Sequence, residues 1–377
     1  MDGFTKLRKK VLKSGVRISK IFFILLIAFI NLNAQSKYPK NIIILIGDGM
    51  GINQISTTLL SNPDSPFYQF KSIGLSITCS ADKLITDSAA GSTAIATGYL
   101  TKNKYLGVDS TGHSLQSIFE IAERSGLSTG LVVTSTITHA TPAGFFANIP
   151  DRYDEIDIAE QMVNKDIDVI IGGGAKFFLP IDLHGERKDN QNLISEFQKN
   201  GYKSFSNIDQ LEKENNSADH LLALIEREAL PSAINRDYNL GQLTKIATDH
   251  LKQNKKGFVL MIEGSQIDWA AHDHKSNELL AEVKDFETAV ANALSFAKKD
   301  GNTLVLITAD HETGGLAITK GSRDGKDLNL NFSTNGHTPS PVGIFAYGPG
   351  EERFRGILKI NEIGQNLIKL IKPSQNF

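Results

Sequence analysis

Only one cysteine and one tryptophan occur in 377 residues. A lone Cys79 excludes any disulfide within the chain, so stability must come from the core or from bound metal. Cys79 ends the strand-like stretch Ile73-Gly74-Leu75-Ser76-Ile77-Thr78-Cys79 and reads as a small buried residue. An excess of one charge is missing too. Forty Lys and Arg stand against 42 Asp and Glu, and a net charge of −2 gives nucleic acid or an anionic membrane no electrostatic hold. No nucleic-acid-binding domain is therefore expected. Internal repeats, heptads and low-complexity tracts are absent, which excludes solenoids and fibrous folds. What remains is ordinary for a globular protein: 40% hydrophobic and 22% charged residues. Thirty-two glycines supply the tight turns and close backbone approaches of an α/β enzyme.

The N-terminus is separate in character. Lys6, Arg8, Lys9, Lys10, Lys13, Arg17 and Lys20 precede the apolar run Ile21-Phe22-Phe23-Ile24-Leu25-Leu26-Ile27-Ala28-Phe29-Ile30. The run is short for a bilayer, and Ala34 offers a small residue for cleavage before Gln35. Residues 1–34 are read as a secretory signal peptide, with an uncleaved anchor as the alternative because Leu32 is not small. No Cys follows the run, which argues against a lipoprotein. The mature chain, residues 35–377, is expected to be exported, as a periplasmic or secreted protein.

Strand-like runs punctuate the rest. Asn41-Ile42-Ile43-Ile44-Leu45-Ile46 is apolar and β-branched throughout, as a strand buried on both faces must be. Similar runs cover residues 129–134, 168–171, 257–262, 303–308 and 342–347, with helix-like segments at 52–60 and 114–124. The alternation predicts one mostly parallel, doubly wound α/β domain, a three-layer α/β/α sandwich. Residues 176–239 and 321–335 are polar and irregular, and are expected to be surface insertions.

Most of these runs end in chemistry-bearing residues. Gly47-Asp48-Gly49-Met50-Gly51 puts a carboxylate where open α/β sheets place ligand groups, although a turn Asp between glycines would look alike. Thr86-Asp87-Ser88-Ala89-Ala90-Gly91 puts a hydroxyl where a helix begins. That is an anion site in one reading; in the other, Thr86 or Asp87 is an ordinary cap of an Ala-rich helix. Asp268 and His272 are spaced i,i+4 and share one helix face. Glu263 lies before them, Asp310-His311 ends the next strand, and His337 lies in a later loop. Imidazole with carboxylate and no thiolate suits Zn²⁺ in an open site, and carboxylate with hydroxyl suits Mg²⁺.

Together with His139-Ala140-Thr141-Pro142-Ala143 and Thr308-Ala309-Asp310-His311-Glu312-Thr313-Gly314-Gly315, these segments resemble the motif set of the alkaline phosphatases. They stand in the family's order and span most of the chain, which is similar to the short bacterial members. The resemblance implies hydrolysis of phosphate monoesters through a phosphoserine on Ser88, with two zinc ions, one magnesium ion and an alkaline pH optimum. It implies that Asp268, His272 and His337 hold the first zinc, and that Asp48, Asp310, His311 and Ser88 hold the second. Asp48 would bridge to magnesium with Thr141 and Glu263. Arg152 and the Ala89 amide would bind phosphate. His139 stands near the magnesium site where some members have Asp, an imidazole that favours zinc. Trp269 stands near the phosphate where some members have Lys or His. Phosphate monoesters and inorganic phosphate are the expected partners, and a homodimer is a family habit.

Other candidates read as structural. His274 falls off the Asp268–His272 face, and His113, His184, His220 and His250 lack a ligand pattern. Thr313 and Gly315 are expected to shape their loop. The competing functions are a related metal-dependent phosphodiesterase or sulfatase, and a non-catalytic metal- or phosphate-binding protein.

Overall fold

The computed structural model describes residues 38–214 and 219–371. The expected leader lies outside them, and among the described residues no helix is long and apolar enough to cross a membrane. Among the described residues, fourteen strands occur in chain order. They are β1 Asn41–Gly47, β2 Ser72–Ile77, β3 Ser128–Thr136, β4 Val169–Gly173, β5 Tyr202–Phe205, β6 His220–Leu224 and β7 Phe258–Gly264. Then come β8 Thr303–Thr308, β9 Glu312–Thr313, β10 Leu316–Lys320, β11 Asn329–Phe332, β12 His337–Thr338, β13 Val342–Tyr347 and β14 Gly356–Lys359. Ten form one sheet in the order β14-β2-β13-β8-β1-β7-β3-β4-β6-β5. Every pairing is parallel except those of β13 with β2 and β8.

β1 shows why the sheet is covered on both sides. Its seven residues are all buried. Ile42, Ile44 and Ile46 point into a core shared with the helices Ser88–Thr97, Ile118–Arg124 and Ile360–Ile371. Ile43 and Leu45 point into the opposite core, with the helices Ile52–Ser61, Leu240–Leu251 and Ser276–Asp300. Side chains alternate across a strand, so an unbroken apolar run demands a layer on each face. The result is the three-layer α/β/α sandwich expected from sequence.

Four expectations need correction. Residues 176–239 are not simply a surface insertion, because they supply β5 and β6 to the main sheet. Two buried arginines pin this segment. Arg187 donates to the carbonyls of Ile156 and Phe177 (3.1 and 3.4 Å) and to Asp189. Arg236 pairs with Asp285 and Glu282 of the long helix. Residues 321–335 include β11, which pairs with β10 in a separate ribbon. Cys79 lies beyond the end of β2 and is half-buried. The helix expected from residue 114 starts only at Ile118, where Ser117 and Glu120 form a capping box.

Candidate active site

β8, β1, β7 and β3 are parallel neighbours, so their C-terminal ends share one edge of the sheet. Asp48 follows β1, Glu263 lies in β7, Asp310 and His311 follow β8, and His139 follows β3. β13 runs the other way, so the segment before it, carrying His337, reaches that same edge. β12 pairs with β9 there, setting His337 opposite Thr313. β2 is parallel to β8 across β13, and the loop after it delivers Ser88.

Ser88 opens the helix Ser88–Thr97, whose ten residues are all buried. Asp87 caps this helix, accepting from the Ala90 amide at 3.0 Å. Capping and anion-site character thus coexist: Ser88 and Ala89 lie in the first turn, where amides lack intrahelical acceptors. Small residues let the helix come close to the ligand loops. A Cβ at Gly91 would lie 3.0 Å from Asp310 Cβ and 3.1 Å from its carbonyl oxygen. With that approach, Ser88 Oγ stands 3.2 Å from His311 Nε2.

Three groups of metal-type ligand atoms form, each with its atoms within 4.8 Å of one another: Asp268, His272 and His337; Asp48, Asp310 and His311; Asp48, His139 and Glu263. In the first, His272 Nε2 is 3.3 Å from Asp268 Oδ2 and 3.1 Å from His337 Nε2. In the second, His311 Nε2 is 3.4 Å from Asp48 Oδ1 and 3.2 Å from Asp310 Oδ2. Thr141 joins the third, its hydroxyl donating to Asp48 Oδ2 at 3.3 Å. The His311 and His337 rings stack at 3.6 Å, so the first and second groups adjoin. Arg152 donates to Asp87 Oδ2 at 3.3 Å and lies 3.4 Å from His139 Nε2. His139 meets Trp269 edge-on at 5.8 Å.

The electrostatics call for cations. Burial, then the charges of Asp310, Asp268 and Glu263, pushes Asp48 well above the usual carboxylate range. Burial likewise pushes Glu263 up to about 8 and Asp310 to about 7. Burial also opposes the charge on Asp268, but bonding to His272 and the surrounding imidazoles outweigh it and hold the carboxyl low. Burial and Arg152 press His139 down to about 3, which keeps it a neutral ligand. Asp48 Oδ1, Glu263 Oε1, Asp310 Oδ2 and His139 Nδ1 are buried without a hydrogen bond. Orphaned polar atoms of this kind are costly unless an ion takes them up. All three groups pair imidazole with carboxylate, which fits zinc, and the Glu263 carboxylate with the Thr141 hydroxyl lets the third group fit magnesium as well.

Every residue that sequence singled out for the site therefore lies in one constellation. His274 does not join it. Its backbone is left-handed (φ 56°), and its ring stacks on Phe332 and meets the Thr334 carbonyl at 2.9 Å. Sequence missed the groups that orient the ligands. Thr313 donates to Asp268, Ser135 donates to Glu263 at 3.3 Å, and the carbonyls of Asn335 and Thr86 meet His272 and His337. Asp87, beside Ser88, was visible as a cap but not as the anchor of Arg152.

Comparison with known proteins places this geometry. The family model described as Alkaline phosphatase matches residues 39–328. Alkaline phosphatase 4 of Bacillus subtilis is 34% identical, with 89% of each chain covered. The Escherichia coli K12 alkaline phosphatase is 32% identical over 84% of this chain and 82% of its own. The solved alkaline phosphatase of the Antarctic bacterium TAB5 superposes with a TM-score of 0.83 at 38% identity, covering 89% of this chain and 98% of that one. A histidine-to-aspartate variant of the TAB5 enzyme, with Mg bound in its M3 site, gives 0.82 at 39% identity over the same shares.

Proposed function

The chain belongs to the alkaline phosphatase family of phosphoric monoester hydrolases, and from that premise we propose that it works through a phosphoserine on Ser88, with two zinc ions, one magnesium ion and activity rising toward alkaline pH. The supporting observation is the position of Ser88 Oγ at a helix N-terminus, 3.2 Å from His311 Nε2, beside three groups of ligand atoms. Asp268, His272 and His337 would hold one zinc; Asp48, Asp310, His311 and Ser88 the other. Asp48, Thr141 and Glu263 would hold magnesium, with His139 beside it favouring zinc there. When bound, these ions supply positive charge that stabilises an alkoxide and the leaving oxygen.

The chain's own groups do the rest. Arg152, Ala89 N–H and the helix dipole bind the phosphoryl oxygens, with Trp269 near the phosphate, edge-on to His139. Asp87 holds the guanidinium in place. Ser88 Oγ gives its proton to solvent and attacks phosphorus in line with the ester oxygen, and the P–O ester bond breaks as the leaving oxygen takes a proton from water and departs as the alcohol. Water then attacks the phosphoserine, the Oγ–P bond breaks, and inorganic phosphate leaves as Ser88 regains a proton. Positioning and electrostatics carry this reaction class. In the ion-free site burial raises Asp48, Glu263 and Asp310, so metal uptake must release their protons and is favoured as pH rises.

The test is hydrolysis of a chromogenic phosphate monoester across pH, with chelator and with zinc and magnesium restored. Activity should vanish on chelation and return with both metals, and Ser88→Ala should trap no phosphoenzyme. A stable phosphoserine persisting in that variant, or turnover of diesters or sulfate esters alone, would refute the proposal. Export is the accompanying proposal for residues 1–34, and is checked by the N-terminal sequence of chain recovered outside the cytoplasm. A homodimer is proposed as well. Leu75 and Ile357 are register partners, and both stay exposed beside Ile73 and Ile77. A monomeric mass by light scattering would remove it.

A further inference from the structure

Arg152 stands between two aromatic rings. Inward lies His139 and, behind it, the half-buried Trp269. Outward, the Tyr153 ring lies 5.8 Å from the Arg152 guanidinium carbon and 5.5 Å from Lys104 Nζ. Trp269 is accounted for by the inner wall. Tyr153 is not, for it is 70% exposed at the rim. Nor does it hang on a free loop. Lys104 N donates to Asp87 Oδ2 at 2.9 Å, Arg152 N donates to Lys104 O at 3.0 Å, and Tyr153 N donates to Asp151 Oδ1 at 3.1 Å. Asp87 in turn caps the helix that begins with Ser88. The ring is therefore registered to the nucleophile through hydrogen bonds that start at the residue before it. Leu84 and Ile85, also exposed, extend an apolar margin, and the Ile85 carbonyl accepts from Asn103 Nδ2 at 3.1 Å, next to Lys104.

We propose that Tyr153 is a specificity-determining residue whose exposed ring stacks on planar aromatic leaving groups, those of aryl phosphates and nucleoside monophosphates. The inference rests on the phosphomonoesterase reading above. A phosphoryl group gripped by Arg152 and facing Ser88 must send its leaving group outward, because the helix and the ligand groups fill the inner side. Tyr153 is the aromatic ring beside Arg152 on that outer side. Rings stack on any planar π-face with little regard to its substituents, so the gain is for aromatic alcohols as a class. Small polyol phosphates have no face to offer.

The experiment uses the zinc- and magnesium-loaded protein and its Tyr153→Ala and Tyr153→Phe variants. It compares kcat/KM for p-nitrophenyl phosphate, adenosine monophosphate and glycerol phosphate. Tyr153→Ala should lose about three- to ten-fold toward the aromatic substrates, mostly in KM, and less than about two-fold toward glycerol phosphate. Tyr153→Phe should restore the loss. A loss in one aromatic arm alone supports the inference and assigns the class, aryl or nucleoside. Equal loss for all three substrates would make Tyr153 a prop for Arg152 and overturn the inference, as would no loss at all. An unsubstituted chain inert toward all three defeats the phosphatase reading itself, and this inference with it, before any variant is compared.

Discussion

Thr313 donates its hydroxyl to Asp268 and lies 3.2 Å from His311 Nδ1, so a single side chain orients ligands of two clusters. Outer partners of this kind fix the tautomer and direction of a ligand, and losing one commonly costs metal affinity 10- to 100-fold. Thr313→Val keeps the shape and removes the hydroxyl. We expect zinc affinity to fall by about ten-fold or more in competition with a chelating dye, with the fold intact. Parent-like affinity would show that Thr313 only shapes its loop, which is all that its sequence setting indicates. The candidate ligands are legible because metal chemistry demands particular side chains: at positions such as Asp48, His272 and His311 few other residue types could serve. Their supports are not. His272 and His337 are steered by the carbonyls of Asn335 and Thr86, and a backbone oxygen leaves no mark on residue identity. Asp87 shows a third case, a residue whose ordinary role as a cap concealed its ion pair with Arg152.

At the scale of elements, the helix Ser88–Thr97 is held from behind by the helix Ile360–Ile371. Gly364 makes the contact possible. A Cβ there would lie 2.6 Å from the carbonyl oxygens of Ala94 and Ile95 and 2.7 Å from Gly98 N, all backbone atoms that cannot rotate away. Gly364→Ala must push the two helices apart. We expect a loss of about 1–3 kcal/mol, as for other overpacked sites, read from urea unfolding. A fall in turnover should accompany it, because Ser88 rides on the displaced helix. A variant equal to its parent in both measurements would contradict this packing account. Elements differed in legibility for physical reasons. β1, β7 and β8 are buried on both faces, so their sequences are unbroken apolar runs. β5, Tyr202-Lys203-Ser204-Phe205, is a short edge strand with two half-buried polar residues, and nothing in it separates strand from loop. Arg187, fully buried, lies in a segment whose polar, irregular sequence reads as surface. Partners distant in sequence, not local composition, decided those cases.

For the whole molecule, the balance of buried charge sets how stability depends on pH when metals are stripped. Asp48, Glu263 and Asp310, raised by burial, bind more protons folded than unfolded, so their contribution falls as pH rises. His272, raised to about 9 by its bond to Asp268, acts in the same direction above its ordinary value. His139 and His311, lowered by burial, act in the opposite sense, but only below about pH 6.5, where an unfolded histidine gains its proton. Between about pH 6.5 and 8 the destabilising groups are unopposed. Chelator-stripped protein should lose melting temperature across that window, and protein reloaded with zinc and magnesium should not follow it. Parallel curves in calorimetry would rule the clusters out as the cause. A different consequence comes from the place of β1. It is the first strand among the described residues and lies at the centre of the sheet, between β7 and β8. On the ribosome it must wait, unpaired by either neighbour, until residues 258–308 have emerged, and Asp48 waits with it for Asp310, His311 and His337. Contacts across such separations form late, after the loop-closure entropy has been met. A half-made chain holds Ser88 and Asp48 but none of the three groups of ligand atoms complete, so the site comes together only with the last third of the molecule.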